Sequence, residues 1–174
     1  MRHARLYNSL LNTPWLLTID MLNTGLAIVQ SDSGGDRERA EELRERRAHR
    51  PAALAMRTGE ALAGSSGITV REGIAHMAVI GPLVRYADIY AEVSGLASVE
   101  SLAADLQMAL AAPAIKGIVM EFDSPGGEVT GIASLASAIY AARTVKPIWA
   151  YADGMAASAG YWLASAASQF IVDP

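Results

Sequence analysis

At 174 residues, the chain holds enough sequence for one domain with a sizeable core plus appendages, and too little for two full-sized domains. Its complete lack of cysteine excludes disulfides and thiolate metal sites, and a formal net charge of -4 gives no general attraction to polyanions, arguing against a direct nucleic-acid partner. Abundant alanine and few aromatics point to a globular α/β protein with close small-residue packing rather than disorder.

Residues 1–30 read as an N-terminal helical arm. Thr13 is placed to cap, Pro14 suits a first helical position, and Ile19, Leu22, Leu26 and Val29 recur every three or four residues, with Gly25 interrupting. Such an arm packs on its own domain or docks on another subunit. Asp20, Asn23 and Thr24 break the apolar run from Leu16 to Val29, so no membrane span or secretory signal is expected, and a soluble intracellular protein is the default. Residues 31–67 read as a charged flexible linker whose acids and arginines nearly cancel, with pairs such as Glu42 and Arg46 supporting an exposed helix before A-G-S-S-G.

The compact domain is expected over residues 68–174. Ile68 to Val70 forms a short strand, and Gly73 to Ile80 a second, with Ile74, His76, Ala78 and Ile80 facing away from Ala75, Met77 and Val79. Leu83 to Gly95 reads as a surface loop offering Tyr86 and Tyr90 for specificity or an interface. Ser98 caps a helix striped by Val99, Leu102, Leu106 and Leu110. Then come a β-branched strand within Ala114 to Phe122, a helix striped by Ile132, Leu135, Ile139 and Ala142, a strand over Pro147 to Ala152, a helix over Ser158 to Ala167, and a strand over Gln169 to Val172. The alternation predicts a parallel sheet with right-handed crossovers, whose loops after the strand carboxyl ends gather into a crevice.

Two stretches fall in that crevice. In E-F-D-S-P-G-G-E, Pro125 keeps Ser124 out of a helical conformation, and Gly126-Gly127 can approach a ligand and aim an N–H at it; the plain alternative is a strand-to-helix turn, with Glu128 and Thr130 as first-turn helix residues. In Y-A-D-G-M-A-A-S-A-G-Y-W, Ser158 stands at a sharp turn among residues too small to cover it, or serves merely as a helix cap. Together they point to serine acyl transfer, with Ser158 as nucleophile and the N–H groups of Ala159 and Gly127 as an oxyanion hole. Gly160 permits close packing. A base is harder to find. His76 reads as a packed or edge histidine, His3 and His49 lie in the leader, and Lys116 and Lys146 precede strands, at the end of the sheet away from Ser158.

E-F-D-S-P-G-G followed by A-D-G-M-A-A-S-A-G-Y-W-L-A resembles the signal peptide peptidase family of serine proteases, across about Ile68 to Pro174. The resemblance implies a ClpP/crotonase-like parallel sheet with flanking helices and βαβ crossovers, incomplete at the C-terminus, with Ser158 as nucleophile, Gly127 and Ala159 as oxyanion donors, and Asp123 and Gly126 as matches to the glycine-loop motif. It also implies a Ser/Lys dyad whose lysine would lie beyond Pro174, so that the chain is expected to be the N-terminal part of a longer protein. The leader Y-N-S-L-L-N-T-P-W-L-L-T-I-D, with no anchor before the core, resembles the phage or prophage head-maturation branch. That implies a homo-oligomer in the bacterial host cytoplasm, within a procapsid, acting on extended polypeptide from capsid, portal or scaffold proteins, with no cofactor, metal, nucleic acid or membrane. A noncatalytic assembly or scaffold module of the same fold, and crotonase-like acyl-CoA chemistry, are the alternatives.

Overall fold

Strand β7 (Gly117–Ser124) organises the molecule, because its buried residues Ile118, Met120 and Phe122 sit at the centre of the core. The computed structural model describes residues 12–19, 22–23, 59–86 and 97–172. The expectations for Leu26, Val29, Glu42, Arg46 and Tyr90 therefore lie outside the described residues, as do His3 and His49.

In chain order, the other elements are β1 (Trp15–Leu17), β2 (Glu60–Ala61), β3 (Ile68–Arg71), β4 (Ile74–Ile80), β5 (Leu83–Val84), β6 (Ala97–Ser98) and α1 (Val99–Ala111). After β7 follow β8 (Gly126–Glu128), α2 (Ile132–Ala142), β9 (Ile148–Ala156), α3 (Ala159–Ser165) and β10 (Gln169–Val172). The main sheet has six strands in the order β10-β9-β7-β4-β3-β2, and a smaller one runs β1-β8-β5-β6.

From β4 to β10 the strands are parallel and advance in one direction, each joined to the next through a helix. Right-handed crossovers that all step the same way put α1, α2 and α3 on one face of the sheet. The helices supply Leu102 and Leu106, Ile132, Leu135 and Ile139, and Leu163 to the same cluster as Ala75, Met77 and Val79 of β4. The alternation expected for β4 is realised, its intermediate residues Ile74, His76, Ala78 and Ile80 sharing the other face. Ser98 caps α1 as expected, its Oγ accepting from Ser101 N–H at 3.3 Å.

Several expectations are corrected. The sheet is mixed, because β3 and β2 run antiparallel to their neighbours. The two-residue connection Glu72-Gly73 takes positive φ at both positions (53° and 81°), the turn geometry that returns the chain as a tight hairpin instead of a crossover. Leu83 and Val84 form a buried strand, not surface loop. The glycine pair is itself strand: Gly127 pairs with Leu83 of β5, so Glu128 belongs to β8, buried, with its carboxylate accepting the Arg85 N–H at 3.0 Å. Helix α2 starts only after Gly131, and Thr130 lies in the intervening turn. Finally, Thr13 and Pro14 do not open a helix at this point. The residue before a proline is biased to extended conformations, and Trp15–Leu17 gains backbone partners by pairing with β8.

Candidate active site

Two loops at the carboxyl end of the main sheet build the site. Strand β9 is in step with β7 as far as Phe122, opposite Ala152, but Ser124 faces Ala156, so β9 carries extra residues here. Gly154, at φ 110°, lies within this irregularity. Such a bulge re-aims the chain. Ala157 N–H then donates to Ser124 O at 3.0 Å, and α3 begins right after Ser158, with Gly160 N–H donating to Ala157 O at 2.9 Å and Trp162 N–H to Ser158 O at 3.0 Å.

Ser158 is squeezed between those two commitments. It adopts φ 54° and ψ -117°, a conformation that a residue with a β-carbon seldom takes, and its side chain makes no capping hydrogen bond. Ser158 thus stands at the N-cap position of α3 without capping it through its side chain. A half-buried hydroxyl on a strained strand-to-helix elbow is the geometry in which a serine presents its Oγ to a substrate.

The opposing loop is locked by Ser124, which is fully buried. Its Oγ donates to Gly81 O at 2.7 Å and accepts from Gly126 N–H at 3.2 Å, tying the end of β4 to the glycine pair. Gly126 has φ 100°, and a Cβ placed on it would stand 2.9 Å from the Ser158 Cβ and 3.1 Å from the Ala159 nitrogen, so the two loops touch. A Cβ on Gly127 would run into the backbone of Leu83. Gly160 packs on Ser124, where an added Cβ would come within 3.2 Å of the Ser124 Cβ. Asp123 lends its carbonyl to Gly81 N–H at 2.9 Å. Ala159 is in the first turn of α3, where an N–H has no acceptor within the helix.

The sequence singled out Ser158, Ala159, Gly126, Gly127, Gly160 and Asp123, and all six lie where the end of β7 and the start of β8 meet the elbow between β9 and α3. It missed Ser124 as the residue that positions them, because one serine at a strand end carries no pattern. Asp153 was also passed over; one of its carboxylate oxygens, Oδ2, is buried without a hydrogen-bond partner.

The candidate bases lie elsewhere. His76 pairs in register with Val119, five residues before Ser124, about 16 Å back along the sheet at the usual strand rise. Its Nδ1 is 2.9 Å from Glu121 Oε1. Lys116 sits just before β7, with its N–H on Gly73 O at 2.7 Å. The Lys146 Nζ donates to Ala109 O at 2.8 Å and Ala112 O at 2.7 Å, closing the last turn of α1. Both lysines are thus at the amino end of the parallel strands, as expected. Among the described residues no group of His, Asp and Glu could hold a metal ion, and no helix is long and apolar enough to cross a membrane.

A strained serine beside paired loop N–H groups suits acyl transfer, and comparison with known proteins points to the same class. The model of Peptidase family S49 matches residues 140–174, the segment that includes β9, the Ser158 elbow, α3 and β10. It is similar to the capsid assembly protease C of Escherichia phage lambda, 41% identical over 103 residues that make up 59% of this chain and 24% of that protein. Head-tail preconnector protein GP5 of Enterobacteria phage P21 is 38% identical over 103 residues, 59% of this chain and 21% of that one. Protease 4 of Salmonella typhi is 33% identical over 84 residues, 48% of this chain and 14% of that one. The chain therefore spans about a quarter or less of the length of these relatives. A crystal structure of an enoyl-CoA hydratase/isomerase family member is a distant likeness, with 18% identity, TM-score 0.44, and coverage of 60% of this chain and 45% of that one.

Proposed function

We propose that the parent protein is a serine endopeptidase of the Ser/Lys type with a ClpP/crotonase-like fold, and that it processes capsid, portal or scaffold polypeptides during phage head maturation. The observation that carries the reading is Ser158: a strained, uncapped serine whose Cβ abuts the Gly126-Gly127 loop. Similarity to phage proteins named for capsid assembly and the head-tail preconnector supports the substrate class.

In this reading the Ser158 Oγ attacks the scissile carbonyl carbon while its proton passes to a base. The N–H groups of Gly127 and Ala159 receive the developing oxyanion, each such donor being worth about 3 kcal/mol in the transition state. Collapse of the tetrahedral intermediate expels the amine and leaves an acyl-enzyme on Ser158, which water then hydrolyses. Lys116 and Lys146 stand at the wrong end of the sheet, and the base in this proposal is the lysine that the family resemblance implies outside these 174 residues.

The experiment is to incubate the full-length protein and its Ser158→Ala variant with capsid and scaffold proteins. Cleavage by the parent alone is expected; equal cleavage by the variant would remove Ser158 from the mechanism.

A further inference from the structure

Strand β8 has two edges. One pairs in parallel with β5 at Leu83 and Gly127; the other is taken by β1, antiparallel, with Trp15 opposite Glu128, Leu16 opposite Gly127 and Leu17 opposite Gly126. Beyond the strand ends, Thr18 N–H donates to Pro125 O at 3.2 Å and Val129 N–H donates to Pro14 O at 2.9 Å. Hydrogen-bonded pairs alternate along an antiparallel ladder, so the next such pair between these two is Leu16 with Gly127, and the Gly127 N–H meets the Leu16 carbonyl. That carbonyl oxygen also lies against the point where a Cβ on Gly126 would stand, the point 2.9 Å from the Ser158 Cβ and 3.1 Å from the Ala159 nitrogen. Leu16 thus sets a peptide carbonyl on the Gly127 N–H, one of the two donors that the acyl-transfer reading assigns to the substrate's.

We propose that Pro14–Thr18 is an intramolecular occupant of the β8 edge on which the serine-peptidase reading seats its extended substrate, and that an incoming strand must displace it. The chemical role of the site rests on the serine-peptidase reading; its occupancy does not. The occupant defines the ligand class. It is held through main-chain pairing, which tolerates varied sequence, and it presents the short apolar run Trp-Leu-Leu between Pro14 and Thr18.

Displacement is feasible because β1 is weakly anchored. Leu16 packs on the core while only half-buried, Trp15 is half-buried, Ile19 just beyond is 74% exposed, and the buried core itself contains no described residue before Ile68. A tethered strand competes at high effective concentration, so the apparent affinity of a free peptide falls in proportion to the fraction of sites left open.

The test uses a fluorescein-labelled peptide with the sequence of residues 12–19, titrated by anisotropy into the full chain and into Leu16→Pro, which loses the central N–H of the ladder. The variant is expected to bind about tenfold more tightly, the gain if β1 fills roughly nine sites in ten. The Gly127 amide should exchange faster with solvent in the variant while the amides of β7 and β9 stay protected, which separates strand release from unfolding. Thr18→Pro, removing the Thr18 to Pro125 bond, is expected to act in the same direction and serves if Leu16→Pro does not fold. Equal peptide affinity in the parent and a folded variant, or unchanged protection of Gly127, would overturn the proposal. Repeating the titration in a Ser158→Ala background keeps the two readings apart, since peptide binding should persist there whether or not Ser158 is a nucleophile.

Discussion

At the scale of residues, Ser158 holds a backbone conformation that costs stability, and the surrounding bonds at Ala157, Gly160 and Trp162 keep it there. Glycine adopts positive φ without that cost. Ser158→Gly is therefore expected to raise unfolding stability by about 1 kcal/mol while abolishing acyl transfer, read as a higher denaturant midpoint. A midpoint at or below that of the parent would mean that the elbow is not strained. Ser124 is the opposite case. Its alanine variant leaves Gly81 O and Gly126 N–H without their buried partner, and a loss of about 1–3 kcal/mol is expected, together with slower reaction at Ser158 as the glycine loop loosens. Ser158 stood out in the sequence because small residues surround it in a strand-to-helix setting. Ser124 did not, since its importance lies in contacts 43 residues away in the chain.

At the scale of elements, periodicity revealed what periodicity governs. The stripes of α1 and α2 and the alternation of β4 are buried as the spacing predicted, apart from the partly buried Leu110. Strands of two or three residues have no period to read, so from sequence β5 reads as loop and nothing marks β8 as strand; β1 owes its conformation to β8, a partner more than a hundred residues further on. The hairpin at Glu72-Gly73 carried a weak signal, glycine at its second position, with glutamate in place of the usual asparagine or aspartate. Lys146 is a cap between elements. Lys146→Met should cost about 1 kcal/mol through lost charge-assisted bonds to the end of α1, with no change in the reactivity of Ser158. A drop in that reactivity with stability intact would return Lys146 to the list of bases.

At the scale of the whole molecule, the repeated strand-helix-strand order carries both loops to one end of the sheet and both lysines to the other. That much follows from topology, and it was legible because a right-handed parallel crossover fixes where the loops emerge. Contact between the loops was not legible, since it depends on the irregularity between β7 and β9 and on the φ of Gly126. The same topology separates Ser158 from both lysines of this chain. Under the Ser/Lys proposal, residues 1–174 alone are expected to react with a serine-directed phosphonate at least about a hundredfold more slowly than a form that also carries the proposed lysine, the usual contribution of a positioned base.

Ser158 as nucleophile is what the serine-peptidase proposal stands on. Its most direct test is to treat the full-length protein with that phosphonate and locate the adduct by mass spectrometry. A single adduct on Ser158, absent from the Ser158→Ala variant, is expected; an adduct on another residue, or undiminished labelling of the variant, would rule Ser158 out as the nucleophile.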